Sequence, residues 1–437
     1  MLTETLPYCQ SLADGLVLKS VVNRQDVERL AAFNAQIHGP GVADMTRQLL
    51  LHHPRTRPEH WLFVEEEAQG RVVSSLCLIP WTWKYENVSL EVAEMGIVGT
   101  LPSFRRRGLV RALAARFDAL SRAEGYDLCA IQGIPYFYRQ FGYAYALPLE
   151  GGWRLELYLA LKEKTQPYTF FPEALSDIPL LVKLYDRAAR GLRVYVVRKA
   201  QVCQYLLGPS QDTEMRAETW LVRTPSGQVA GYFRVPAEGF GEGLIVNEVS
   251  RLDAPAARAV LRWLAQRCVE RDKPYLRLNL PANCALVQVA RGLGAHDLGT
   301  YAWQIKGVDV PRLLEKLGPV LERRIAASPF AGLTQRVCLS FYRQAFDLCF
   351  EQGKLHRVET VVWPKRWDLR MPSLQFMPLL LGYRSCAELC DADHDVAVKR
   401  ERQYVVNADL GVVSKSEYRP LIDVLFPKVS SFIYTTY

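Results

Sequence analysis

Apolar and polar residues alternate along several early stretches of the chain, which is the pattern of half-buried β-strands. The first run, Leu16 to Val22, is followed by amphipathic helical spacing from Gln25 to Asn34. Trp61 to Glu66 and Arg71 to Trp81 read as a hairpin that turns at Gln69-Gly70. A strand, a helix and a hairpin are therefore predicted to open the chain.

The stretch from Glu94 to Tyr143 carries the clearest chemistry, and the remainder is organised around it. A strand is predicted for Met95 to Thr100, ending before Pro102, which cannot donate to a sheet ladder. A helix is predicted for Leu109 to Ala123, because apolar residues recur on one helical face. A second strand is predicted for Tyr126 to Ile131, with an aromatic segment after it.

The predicted helix begins directly after Arg105, Arg106, Arg107 and Gly108. The first turn of a helix offers unpaired backbone N–H groups and the positive end of the dipole, so it can hold phosphate oxygens. No Walker loop and no GxGxxG fingerprint accompany the cluster. A solvated basic helix start explains the cluster alone equally well.

The second part of the chain repeats the layout of the first without its basic turn. We expect a linker near residues 150–165, since the stretch from Pro167 to Pro179 contains three prolines. A hairpin around Pro225-Ser226-Gly227, a strand from Leu244 to Leu252 and a helix from Pro255 to Glu270 then follow. This spacing indicates an internal repeat in which the second copy lacks the phosphate-binding turn.

From Val308 onward the pattern changes, and a third, α+β unit is predicted. A helix is expected for Pro311 to Ala327, with strands from Thr334 to Leu348 and from Gly353 to Val361. The resulting division is residues 1–150, 151–307 and 308–437, an α/β (α+β) chain of three domains.

Composition narrows the class of protein. Of the 437 residues, 49% are hydrophobic, which is enough to form packed cores. The net charge of +8 is moderate and gives little support for nucleic-acid binding. The ten cysteines show no CxxC or Cys/His ligand spacing, so no metal is expected. With no signal peptide and no long apolar run, we expect a reduced, cytoplasmic protein that does not insert stably into a membrane.

The order of strand, basic turn, helix, strand and YxxFGY-like ending resembles the GNAT family of acyl-CoA-dependent N-acyltransferases. The resemblance implies a splayed mixed sheet, acetyl-CoA as cosubstrate and Tyr138 as the acid that protonates the leaving thiolate. The cofactor-binding residues that it implies are Ile97, Val98, Thr100, Arg105, Arg106, Arg107, Gly108, Leu109, Val110 and Arg111. The usual second glycine of the turn is replaced by an arginine.

The order of all three units is similar to N-acetyltransferases of the enhanced intracellular survival (Eis) type. Those proteins carry two GNAT-like domains and a sterol-carrier-protein-like domain, and they assemble as hexamers. The resemblance implies that the C-terminal α-carboxylate, here that of Tyr437, is the general base. It also implies a primary amine acceptor on an aminoglycoside, polyamine, peptide or lysine, with a homo-oligomer as the functional unit. A lipid- or acyl-CoA-binding protein without catalysis is the alternative.

Each candidate residue also has a structural explanation. Tyr138 can be a packed aromatic, and Trp83 can belong to the core with Trp81 and Tyr85 rather than to an acceptor pocket. Glu94 is placed at the start of the key strand, where it can orient the amine or, through water, accept its proton, or else be a surface charge at the strand end. Tyr437 is an ordinary frayed end unless the apolar residues before it anchor it.

Overall fold

The computed structural model describes residues 7–162, 167–239, 241–399, 406–407, 411–412, 418–435 and 437. Within these ranges all ten cysteines are free. None of the helices described there combines the length and apolar character needed to cross a membrane.

The first part of the chain alternates strands with three helices. Its elements are β1 (Cys9–Ser11), β2 (Leu16–Ser20), α1 (Arg24–His38), α2 (Gly41–His52), β3 (Trp61–Glu66), β4 (Arg71–Tyr85), β5 (Val88–Thr100), α3 (Leu109–Ala123), β6 (Leu128–Ile131) and β7 (Ala144–Glu156). The predicted hairpin is confirmed, with β3 and β4 antiparallel.

The middle part follows a similar order. Its elements are α4 (Leu157–Leu161), β8 (Thr169–Pro172), α5 (Ile178–Ala189), β9 (Val194–Val196), α6 (Ala200–Leu207), β10 (Ala217–Arg223), β11 (Val229–Pro236), β12 (Leu244–Val246), β13 (Glu248–Val249), α7 (Ala254–Glu270), β14 (Tyr275–Leu278), α8 (Ala285–Gly292) and β15 (His296–Gly307).

The last part is an α+β unit around a five-stranded mixed sheet. Its elements are α9 (Val310–Lys316), α10 (Gly318–Ala326), β16 (Gln335–Ser340), β17 (Gln344–Glu351), β18 (Lys354–Val362), β19 (Leu369–Arg370), α11 (Phe376–Leu380), α12 (Cys386–Ala392), β20 (Ala397–Val398), β21 (Val406–Asn407), β22 (Gly411–Val412) and α13 (Tyr418–Leu425). The fold is therefore the mixed α/β type predicted.

The largest sheet joins the first and middle parts of the chain. Its main path runs β1-β2-β3-β4-β5-β6-β15-β7-β14-β12, and β9 pairs with the end of β4. Strand β15, from the middle part, pairs antiparallel with both β6 and β7. The predicted domain boundary at residue 150 falls inside β7, and the one at residue 307 falls at the end of β15.

Strands β5 and β6 separate after a short parallel contact. Only Val92 to Glu94 pair with Leu128 to Ala130, and β5 then continues to Thr100 while β6 ends at Ile131. The register between β4 and β5 also shifts in this region, and Ile97 has a φ of 47°, a left-handed conformation that is costly for a β-branched residue. The bulge and the divergence open a gap between two strands of one sheet.

Two sequence predictions, one about the residues after 150 and one about β5, are wrong. Residues 150–162 are not a linker, because they continue β7 and form α4. Gly151 and Gly152 suit a linker by composition, but a Cβ on either would lie within about 2.0 Å of a carbonyl oxygen of a neighbouring strand, so both are needed for close packing. Glu94 does not begin a strand, since β5 starts at Val88 and includes it in its middle.

The remaining differences concern the length and division of elements. The single strand predicted for Leu244 to Leu252 is wrong, because these residues form β12 and β13, which pair in two different sheets. Trp83 to Tyr85 is the end of the long strand β4 rather than a separate strand. The single helix predicted for residues 311–327 is two helices, α9 and α10, because Pro319 cannot continue the hydrogen-bond ladder of the first.

Candidate active site

A cleft of about 820 Å³ lies where β5 and β6 diverge. One wall is the end of β5 at Val98, Gly99 and Thr100, and the floor is the turn that leads into α3. The opposite wall is the segment after β6, which contains Tyr138. The cleft thus has a polar end at the helix start and an apolar, aromatic side.

The turn before α3 is shaped for an anion. Arg106 and Gly108 both have left-handed backbone, with φ of 65° and 77°, and Gly108 immediately precedes the first residue of the helix. Arg105, Arg106 and Arg111 line the cleft and are exposed, so their guanidinium groups can approach a bound anion. The helix dipole adds positive potential at the same point.

The predicted cofactor residues are mostly gathered in this cleft. Val98, Thr100, Arg105, Arg106, Gly108, Leu109, Val110 and Arg111 line it. Two others lie beside it. Ile97 forms the bulge one residue earlier, and the guanidinium of Arg107 stacks on the Phe104 ring at 4.8 Å.

Tyr138 stands in the wall opposite β5, within a short 3-10 helix, Phe137–Phe141. Burial raises the pKa of Tyr138 to about 12, so its hydroxyl keeps its proton at neutral pH. The ring packs against Gly133, where a Cβ would lie 2.3 Å from a ring carbon. Glycine at position 133 therefore allows the position of this phenol.

Strand β15 holds the segment that carries Tyr138. The buried amide of Gln304 donates to the carbonyl of Gly133 at 2.9 Å and to that of Ile134 at 3.3 Å. Lys306 donates to the carbonyl of Phe141 at 3.3 Å. A wall of the first part's cleft is therefore positioned by residues from the middle part.

Glu94 is a buried carboxylate in the middle of β5. It accepts hydrogen bonds from Trp81 Nε1 at 2.8 Å, Gln132 Nε2 at 3.1 Å and the Tyr437 hydroxyl at 2.7 Å. Burial raises the pKa of Glu94 to about 7, although the three donors oppose that shift. Gln132 is exposed, so solvent reaches to within one side chain of the carboxylate.

The segment that ends at Tyr437 is anchored rather than frayed. Phe432 and Val194 are joined by a backbone hydrogen bond of 3.1 Å beside β9. The carbonyl of Thr435 accepts from Arg198 Nη2 at 2.6 Å. Tyr437 is buried, and its hydroxyl also accepts from Gln132 at 3.0 Å. The phenol, rather than the main chain, makes the contact with Glu94.

Trp83 belongs to an aromatic cluster beneath Glu94. It is fully buried and makes edge-on ring contacts with Trp81 at 6.3 Å and with Trp303 at 6.2 Å. Trp81 in turn contacts the Tyr437 ring at 5.9 Å. Trp83 therefore packs against the residues around Glu94 and is not among those that line the β5–β6 cleft.

Sequence reasoning missed part of the site. Gln132 was not singled out, although it bridges Glu94 and Tyr437. The apolar lining from Ile37, Phe104, Phe137 and Phe141 was also missed. Phe137 and Phe141 lie in the aromatic segment around Tyr138, so that segment was the available signal for them.

A comparison with protein families supports this geometry. Residues 34–146 match the model of the acetyltransferase (GNAT) domain. The chain contains a GNAT acetyltransferase domain. The matched range runs from α1 into β7 and so includes β5, the arginine turn, α3 and Tyr138. The protein is an enzyme of the acetyltransferase class, whose domain moves an acetyl group from acetyl-CoA to an amine.

Solved structures share the fold over nearly the whole chain. A probable N-acyltransferase from Enterococcus faecalis is 13% identical, with 97% of this chain and 100% of that chain covered at a TM-score of 0.68. A GCN5-related N-acetyltransferase from Kribbella flavida is 16% identical, with coverage of 97% and 100% and a TM-score of 0.63. Eis1 from Mycobacterium abscessus is 16% identical, with coverage of 96% and 100% and a TM-score of 0.61. No curated protein matches the chain by sequence.

Proposed function

We propose that the β5–β6 cleft binds acetyl-CoA and that the acetyl group passes directly to a primary amine. The observation that carries this proposal is the meeting of three features in one cleft, namely the end of a splayed strand, an arginine-rich helix start and Tyr138. The helix start and Arg105, Arg106 and Arg111 hold the pyrophosphate. The backbone from the Ile97 bulge to Thr100 pairs with the pantetheine arm.

The reaction needs one base and one acid. A free amine nitrogen attacks the thioester carbonyl, a C–N bond forms and the C–S bond breaks. The phenol of Tyr138 gives its proton to the departing thiolate sulfur. Backbone N–H groups beside the bulge polarise the carbonyl during the attack. No side chain is acylated in this scheme.

We assign the base role to Glu94, acting through water. Its pKa of about 7 suits proton transfer near neutral pH, whereas an ordinary α-carboxylate has a pKa of about 3.5 and is a weak base for an ammonium. The main-chain carboxylate of Tyr437, the base that the Eis-type resemblance implies, is the second candidate. Its carbonyl oxygen accepts from the Thr435 hydroxyl at 2.6 Å.

Two variants of Tyr437 separate the candidates. Tyr437→Phe removes the hydroxyl bonded to Glu94 but keeps the main-chain carboxylate in place, whereas deletion of Tyr437 removes the hydroxyl and moves the terminal carboxylate to Thr436. If Glu94 is the base, Tyr437→Phe alters the pH profile, because the carboxylate loses a donor. An unchanged profile in Tyr437→Phe together with loss of activity on deletion would assign the base to the terminal carboxylate.

The acceptor we propose is a small molecule or peptide that presents a primary amine, such as an aminoglycoside, a polyamine or a lysine side chain. Its recognition is supported by Glu94, whose ionised form attracts an ammonium, beside the exposed amide of Gln132. Trp83 is buried and packs on Trp81, so we assign it a role in supporting Glu94 and not in contacting the acceptor. The acetyltransferase domain favours this enzyme over the lipid-binding alternative.

Larger features of the Eis type are also proposed. The shared fold with Eis1 over 96% of the chain supports two tandem GNAT-like units and a carrier-like third unit. Assembly as a hexamer and a cytoplasmic location belong to the same proposal.

The function is tested by incubating the full chain with acetyl-CoA and a panel of polyamines, aminoglycosides and lysine peptides. We expect amine-dependent thiol release with mass-spectrometric detection of the N-acetyl product. Incubation without an amine should leave the protein mass unchanged. Acetyl-protein that chases onto the amine would overturn direct transfer, and no amine-dependent release would overturn the acceptor class.

A further inference from the structure

A second cleft, of about 800 Å³, lies on the other side of the segment that carries Tyr138. It is bounded by β7 and β15 on one side and by α11 and α12 of the C-terminal unit on the other. The residues that give it chemical character are Tyr136, Arg139, Tyr145, Tyr301, Tyr383 and Arg384. Nothing in the acetyl-transfer mechanism uses them.

The cleft carries more positive than negative charge. Among the described carboxylates none forms an ion pair with Arg139 or with Arg384, and both arginines are exposed. The one acidic residue in the lining, Glu388, is engaged by Lys428 at 2.5 Å and accepts from the Ser385 backbone at 2.9 Å. An anion that enters therefore meets two available guanidinium groups.

The walls are aromatic as well as basic. Arg139 lies over the Tyr136 ring at 4.4 Å, and Arg384 lies over the Tyr383 ring at 5.3 Å. Tyr145 and Tyr301 meet edge to face at 5.6 Å in the strand wall. Tyr136 is 73% exposed even with Arg139 over its ring, a large aromatic surface to leave in water.

The two clefts are distinct. Pro135, Tyr136 and Arg139 face the second cleft, whereas Phe137, Tyr138 and Phe141 face the first. The short 3-10 helix therefore presents different side chains to two cavities, and a ligand in the second cleft does not occupy the acetyl-CoA position.

We propose that the second cleft is a binding site for a small organic anion with an aromatic body. A carboxylate or sulfonate pairs with Arg139 and Arg384, and the ring system stacks among the tyrosines. A volume of about 800 Å³ is within the range of sites that enclose small molecules.

The test is a fluorescence titration of the full chain with anilinonaphthalene sulfonate, an aromatic sulfonate whose emission rises on binding. We expect a saturable site whose affinity falls roughly tenfold or more in the Arg139→Gln/Arg384→Gln double variant, since charge-assisted hydrogen bonds are lost. Arg291→Gln is the matched control, because Arg291 also stacks on an aromatic ring, that of Trp153, but lies outside the cleft. All three arginines are exposed, so these variants should fold.

Further arms decide the location and the ligand class. If the affinity for the probe falls in Arg106→Gln but not in the double variant, the probe binds in the acetyl-CoA cleft and the proposal is overturned. Displacement by naphthoate but not by decanoate supports an aromatic ligand, and equal displacement by decanoate overturns that class. If wild type does not bind the probe and its oligomer dissociates in the double variant, the cleft is a contact between copies of the chain and the proposal is overturned.

Discussion

Burial gives Glu94 a proton affinity that an exposed glutamate lacks. Its pKa rises from the ordinary 4.5 to about 7, so the folded protein holds this proton more tightly than the unfolded chain. The contribution of Glu94 to stability is therefore present below pH 4.5 and is lost as the pH rises through 7. The ionised form needed for catalysis is the less stable one, which is usual for active-site groups.

The Glu94→Gln variant tests the base. Glutamine preserves the shape and can still hydrogen-bond Trp81 or Tyr437, but it cannot accept the amine's proton. We expect kcat to fall about 10²-fold, and the rise of the wild-type rate through pH 7 to disappear. The measurement is kcat against pH by thiol release. An unaltered inflection in Glu94→Gln would assign the titration to another group.

The phenol of Tyr138 is tested by two variants that act differently. Tyr138→Phe removes the proton and should lower kcat about 10²-fold with acetyl-CoA affinity unchanged. Gly133→Ala keeps the phenol but forces its ring away, because the added Cβ would lie 2.3 Å from it. We expect Gly133→Ala to match the kcat of Tyr138→Phe. Wild-type kcat in both would return Tyr138 to the role of a packed aromatic.

Single residues were predictable where a local motif marks them. Tyr138 and the arginine turn lie less than 40 residues apart in one contiguous pattern, so the sequence predicts that they belong to one site. The partners of Glu94 could not be found that way. Gln132 and Tyr437 are separated by 305 positions and meet only through the tertiary fold.

Among elements, the segment from Ser430 to Thr435, together with Tyr437, connects the three parts of the molecule. It leaves the C-terminal unit, pairs beside β9 and brings Tyr437 to Glu94 in the first part. Arg198 holds it through the Thr435 carbonyl and is itself paired with the buried carboxylate of Glu248 at 2.5 and 2.8 Å. This ion pair therefore anchors the segment that carries Tyr437.

Arg198→Met should release this segment and leave Glu248 buried without its main partner. Breaking a buried ion pair costs about 3–5 kcal/mol, which chemical denaturation can measure. We expect Arg198→Lys to recover part of the stability, although an ammonium cannot reproduce both the forked contact to Glu248 and the hydrogen bond to Thr435. If the segment positions Tyr437, the pH profile of Arg198→Lys shifts in the same direction as that of Tyr437→Phe. A normal profile in a folded Arg198→Lys protein would limit Arg198 to a structural role.

Local patterns gave most helices and the first hairpin, because their hydrogen bonds are local. They did not predict that β15 lies between β6 and β7, because that pairing joins Gln304 to Ile131 across more than 170 positions. The linker prediction failed for a related reason. Gly151 and Gly152 are glycines because two neighbouring strands pass close to them, and those strands come from distant sequence.

For the molecule as a whole, the shared sheet makes the first two parts depend on each other. Without β15, strands β6 and β7 lose their common partner, and residues of the Tyr138 segment lose Gln304 and Lys306. We expect a fragment of residues 1–150 to aggregate, because exposed strand edges and apolar faces favour association. A chain of residues 1–307 is the matched control for the missing strand. A monomeric, folded 1–150 fragment by sedimentation and circular dichroism would contradict this interdependence.

The central claim is that the β5–β6 cleft holds acetyl-CoA by its arginine turn, and calorimetric titration of acetyl-CoA tests it most directly. Wild type should bind saturably, and Arg105→Gln/Arg106→Gln should bind at least about tenfold more weakly, because two charged donors to the pyrophosphate are lost. Arg122→Gln, at the other end of α3, should bind like wild type. Equal affinity in wild type and the double variant, or no binding by wild type, would contradict the account.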